Sequence, residues 1–231
     1  MAKRVSSKRF CEGWSFRYYR NTENRRKHPC KANPTFLAAE EQILKKIQFM
    51  LSFRPDLMEE IGCIDNGLEI RLYEGMGFMD YESETYFYGQ VTYEREHMIM
   101  ELSADQVLEG CQEDHTATDV VIHEIAHVLD FIEGDHEACF PGWRASTRAQ
   151  FKQLMMKEQA RIEACLADGR PSPIDPYALT NPTEFLAVLT ETFFCQPGML
   201  REYNPELYGI FRNYFGFEPG PLPVVCPPSQ K

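Results

Sequence analysis

The chain has no run of about 18 apolar residues, the least that lets a helix cross a bilayer, so no membrane span is expected. Its N-terminus lacks the apolar stretch of a signal peptide, which points to the cytoplasm. Eight cysteines are scattered along the sequence and none stands in a C-x-x-C pair. With 231 residues and 43% hydrophobic content, a single core can form without disulfides, so the cysteines are expected as reduced thiols. Positive charge is scarce overall. The net charge of −11 argues against nucleic acid as the main partner. No internal repeat occurs, which sets solenoids and arrays aside.

The charge that is present is unevenly placed. Residues 1–31 hold ten Lys or Arg against only Glu12 and Glu23. Residues 1–33 therefore read as a basic N-terminal arm, docked in part through Trp14, Phe16, Tyr18 and Tyr19. His28-Pro29-Cys30 reads as a turn. Asn33-Pro34 opens a helix that runs to Arg54-Pro55. Strands are predicted at Leu68–Tyr73, Tyr86–Tyr93 and Met98–Leu102 from alternation and β-branched or aromatic content. Ser103 caps a short helix ending at Gly110. A long amphipathic helix follows over Trp143–Ala167, and Asn181-Pro182 and Asn204-Pro205 open two more. Residues 218–231 are a proline-rich tail.

Between these elements lies His123-Glu124-Ile125-Ala126-His127, in a helix capped by Thr116 or Thr118 and ending near Gly134. Positions four apart are one turn apart on one helix face, so two imidazoles can reach one metal ion. Neutral nitrogen ligands suit Zn²⁺, and Glu124 is placed to act on a water as a general base. With six histidines in the chain, this pattern is expected by chance only about 0.02 times. Val120, Val121, Ile122, Val128, Leu129 and Ile132 surround it with apolar surface, and histidines on a buried helix need partners.

A catalytic zinc needs a third protein ligand. A third histidine six residues on is disfavoured, because that position is Glu133 and the glycine of that pattern is Asp130. His136 is a possible ligand but lies beyond the helix end. Glu184 and Glu191 are seven apart, about 20° on a helix, so either could supply a carboxylate. Glu184 could instead close a capping box with Asn181, and Glu191 could be a solvated acid. Asp130, one turn past His127, could accept a ring N–H.

His-Glu-Ile-Ala-His-Val-Leu-Asp at 123–130 resembles the peptidases of the Mlc titration factor A family. So does Asn-Pro-Thr-Glu-Phe-Leu-Ala-Val-Leu-Thr-Glu-Thr-Phe-Phe at 181–194, with Tyr177 seven residues before Glu184. The resemblance covers roughly residues 36–217. The site pattern is also similar to that of the anthrax lethal factor catalytic domain. The resemblance implies His123, His127 and Glu184 as zinc ligands, Glu124 as the base and Tyr177 as a hydroxyl beside the reacting carbonyl. Glu191 then stands behind the ligands. The expected fold is α+β, a zincin-like domain over residues 34–217 with a small sheet packed on the motif helix and a second ligand-bearing helix. The expected function is zinc-dependent hydrolysis of a peptide or protein substrate. The alternative is a regulatory protein that sequesters a transcriptional repressor.

Overall fold

The computed structural model describes residues 14–21, 27–62, 67–75, 77–80, 85–94, 97–110, 118–133 and 138–220. Alternation of side chains organises its sheet. In β3 (Leu68–Tyr73), Leu68, Ile70 and Leu72 share one face, and Glu69, Arg71 and Tyr73 the other. β7 (His97–Ser103) runs parallel to β3 with Ile70 opposite Met100. β6 (Gly89–Glu94) pairs antiparallel with β7 and forms one edge. β1 (Ser15–Asn21) lies parallel to β3 on the other side, and β2 (Lys27–Pro29) forms the second edge. A separate two-stranded ribbon joins β4 (Phe78–Asp80) to β5 (Thr85–Phe87).

Two strands thus lie within the stretch expected to be an arm. Arg17 pairs with Glu69 at 2.9 Å, and the Tyr19 ring stacks on Tyr73 at 5.2 Å. Charge density hid this strand, although its arginines face acids across the sheet. His28, expected in a turn, is in β2, and Cys30 N–H bonds the Tyr18 carbonyl at 2.9 Å. The predicted strand Tyr86–Tyr93 is two strands, broken at Tyr88 and belonging to different sheets.

The helices start where caps predict. α1 (Pro34–Met50) is capped by Asn33, whose side chain accepts the Phe36 N–H at 2.9 Å. Such a cap stabilises by about 1 kcal/mol. α2 (Pro55–Gly62) was not foreseen: Pro55 read as a stop, but proline at the first turn also starts a helix. α3 (Ala104–Glu109) is capped by Ser103 as expected. α4 (Val120–Glu133) carries the motif. Its cap is neither predicted threonine. Asp119 Oδ1 accepts the N–H groups of Val121 and Ile122 at 3.1 and 3.2 Å; Thr118 is exposed, and Thr116 lies outside the described residues. α5 (Ala145–Ala167) begins two residues later than predicted. A single 3-10 turn (Pro176–Leu179) precedes α6 (Pro182–Cys195). α7 (Pro197–Tyr203) is a further unforeseen helix opened by proline, and α8 (Pro205–Phe215) ends on Gly216 with φ 79°.

Phe36, Ile43 and Ile47 of α1 and Ile122, Ile125 and Leu129 of α4 share one core with the apolar face of the sheet. Full burial of each such side chain is worth about 1.5–3 kcal/mol. Phe185, Leu189 and Phe193 of α6 enter the same core, and α6 packs on α4. This is what brings the two motif blocks together. Among the described residues no helix is long and apolar enough to cross a membrane. Among them, Cys30, Cys139, Cys165 and Cys195 are unbridged.

Candidate metal centre

α4 presents His123 and His127 to α6. Their Nε2 atoms are 3.2 Å apart. Glu184 Oε2 lies 2.9 Å from the first and 3.4 Å from the second. Asn181 holds the start of α6 by accepting the Glu184 N–H at 2.9 Å. That bond uses the backbone of Glu184, and its carboxylate is turned to the histidines. Around a tetrahedral zinc with bonds of about 2.0–2.1 Å, neighbouring ligand atoms stand about 3.3 Å apart. The three observed separations fit that spacing, and two nitrogens and a carboxylate oxygen are a donor set zinc accepts. Among the described residues this is the group of His, Cys, Asp and Glu side chains placed to hold an ion.

Glu191, two turns along α6, takes the other side of the imidazole. His123 Nδ1 is 3.0 Å from Glu191 Oε2. With Nδ1 donating, the Nε2 lone pair points at the other two donors. Glu191 Oε1 accepts the Asp119 N–H at 2.6 Å, so both carboxylate oxygens are engaged. Asp130 is buried, and its Oδ1 accepts the Cys139 N–H at 2.9 Å, which ties down the chain beyond α4. His136 lies outside the described residues.

Burial opposes ionisation of Glu184, but its hydrogen bonds to His123 and His127 outweigh this and bring the carboxyl down to about 2. Burial likewise opposes protonation of His123. Its bonds to Glu184 and Glu191 and the nearby Glu124 charge overcome that and hold the imidazolium well above its usual range. Burial pushes the Glu124 carboxyl up to about 7 against the pull of both histidines. Glu124 is 4% exposed, and its Oε2 is buried with no hydrogen-bond partner in the protein. Such an oxygen normally needs a donor.

His123, Glu124 and Tyr177 line a cleft of about 620 Å³ together with Tyr88 and with Gly89, the first residue of β6. Tyr177 is half exposed, and its ring centroid is 6.1 Å from that of His123. Gly89 was not singled out from the sequence, and no signal there marks it. A Cβ on it would stand 2.6 Å from Glu124 Oε1 and 2.7 Å from Val120 Cγ2. Asp119 was also missed, although an acid directly before an apolar run is a cap signal.

The mixed α and β fold and the His123, His127 and Glu184 cluster are compatible with a metallopeptidase domain. Residues 72–216 match the glucose-regulated metallo-peptidase M90 family, and the chain belongs to that family. An uncharacterized protein of Synechocystis sp. is 35% identical over 112 residues, which are 48% of this chain and 40% of the relative. Mlc titration factor A of Cronobacter sakazakii is 32% identical over 114 residues, 46% of this chain and 41% of that protein. Mlc titration factor A of Pectobacterium atrosepticum is 31% identical over 108 residues, again 46% and 41%. The chain spans about two-fifths of the length of these relatives.

Proposed function

We propose that the protein is a zinc-dependent peptidase in a zincin-like fold, acting in the cytoplasm, with His123, His127 and Glu184 as metal ligands and Glu124 as general base. The observation that carries this is the triangle of three donor atoms beside a buried carboxylate whose Oε2 lacks a protein partner. A bound Zn²⁺ supplies Lewis acidity to water and to a substrate carbonyl. Glu124 takes the proton of the attacking water and returns it to the leaving nitrogen. The Tyr177 hydroxyl, from a residue that lines the same cleft, donates to the developing oxyanion. Glu191 holds His123 in the tautomer that binds metal. Asp130, one turn past His127, supports the site indirectly by anchoring the chain that follows α4.

Glu124→Gln tests the mechanism. Zinc content stays at one per chain and peptide turnover falls by about 10²–10⁴; unchanged turnover would remove Glu124 from the reaction. Glu184→Ala tests the site: metal content after dialysis drops, and retention at the wild-type level would disqualify Glu184 as a ligand. A second reading follows from the relatives that bear the name Mlc titration factor A. In it the protein sequesters a transcriptional repressor and its peptidase activity is weak. Capture of a repressor by the Glu124→Gln protein, with the regulatory effect intact, would favour that reading.

A further inference from the structure

The contacts behind His123 do not stop at Glu191. The N–H held by Glu191 belongs to Asp119. The Asp119 side chain is fully buried. Its Oδ1 accepts from Val121 and Ile122, and its Oδ2 meets Lys46 Nζ of α1 at 2.5 Å. Lys46 is itself 1% exposed, on the same helix face as Ile43, Ile47 and Met50. A continuous set of contacts therefore runs from Lys46 of α1 through the Asp119 side chain, then through the Asp119 backbone N–H to Glu191 of α6, and back to the metal-facing imidazole.

A helix cap alone does not call for this arrangement. An asparagine or serine would cap α4 without burying a charge. A buried ion pair is also a poor device for stability, because removing two charges from water costs about as much as their attraction returns. What the pair does provide is position. Asp119 is fixed from two sides, by the helix N-terminus and by the ammonium. Its own N–H then fixes Glu191 Oε1, and Glu191 Oε2 fixes the His123 ring. The ammonium also offsets one of the two carboxylates crowded behind His123, so that Asp119 and Glu191 can stand close together.

We propose that Lys46 and Asp119 are positioning residues of the metal centre, acting on His123 through Glu191. The inference rests on the metal-centre reading above. Groups that orient a ligand from behind typically change metal affinity by about 10- to 100-fold when removed.

The test is the dissociation constant for Co²⁺, measured by competition with a chromophoric chelator on the full chain. The visible d–d spectrum of the Co²⁺ form is the second readout. Both are taken below the melting temperature of every variant. Lys46→Met is expected to weaken Co²⁺ binding about 10-fold or more and to alter the d–d band. Glu158→Gln removes an equally buried acid that bonds Tyr203 and Asn204 far along the chain. It is expected to lower the melting temperature and leave the affinity unchanged. If Lys46→Met does not fold, Asp119→Asn decides, since it keeps a capping oxygen and loses the ion pair. Affinity within two-fold of wild type in the folded variant, with an unaltered spectrum, overturns the inference and leaves the pair as scaffold. Absence of Co²⁺ binding in the wild-type chain overturns the metal-centre reading and this inference with it.

Discussion

Glu184 and Glu191 lie on one line of α6, and spacing could not separate them. The structure gives them different partners. Glu184 reaches both Nε2 atoms, and Glu191 reaches Nδ1 of His123. Two turns of helix carry one carboxylate to the front of the imidazole and the other behind it. At this scale Gly89 carries a further prediction. Gly89→Ala would drive a methyl into Glu124 Oε1 and Val120 Cγ2. The flexible carboxylate is the group that can yield. Turnover is expected to fall by up to about 100-fold, as for small displacements of a reacting group, while zinc content in the purified variant stays at wild-type level. Loss of zinc instead would place the damage in the ligands. The sequence showed Glu124 as one member of a motif. The close approach of the β6 backbone at Gly89 to its side chain is set by how β6 packs on α4 and cannot be read from α4.

Elements were legible where local chemistry is decisive. Asn33-Pro34, Ser103 and Asn181-Pro182 each cap the helix they announce. Pro55 and Pro197 were ambiguous, because proline both stops and starts helices. β1 was hidden because its charges read as an arm, yet its pairing with β3 makes it an interior strand of the sheet. A chain beginning at residue 27 would lose that strand, break the Arg17–Glu69 pair and leave β3 with an open edge. Such a chain is expected to melt at lower temperature and to aggregate in sedimentation runs. A melting temperature equal to that of the full chain would contradict the role of β1.

For the whole molecule, acid groups outnumber bases, and the site concentrates that excess. His123 is held protonated well above its usual range, so in the metal-free chain its contribution to stability is present at low pH and lost as pH rises through the raised value. Glu124, raised from 4.5 to about 7, acts in the same direction: the folded state holds a proton that the unfolded state releases, and stability falls between those values as pH rises. A metal displaces the His123 proton and reverses the balance. The gain in melting temperature on adding zinc is therefore expected to widen from about pH 5 to pH 8. Calorimetry in buffers of different ionisation enthalpy should register proton release on binding. A gain independent of pH, with no proton released, would mean that metal binds elsewhere.

The amino-acid sequence alone determined the motif helix and the shared face of its two histidines. A four-residue spacing within an apolar run is a local geometric fact, and so is the carboxylate line on the helix opened by Asn181-Pro182. Tertiary structure decided which carboxylate faces the imidazole nitrogens, because that depends on how α6 is seated on α4. It also decided that a strand from the basic N-terminal stretch joins the sheet, and that Lys46, Asp119 and Glu191 meet behind His123. Those contacts join residues 73 and 72 positions apart, and no local pattern encodes them.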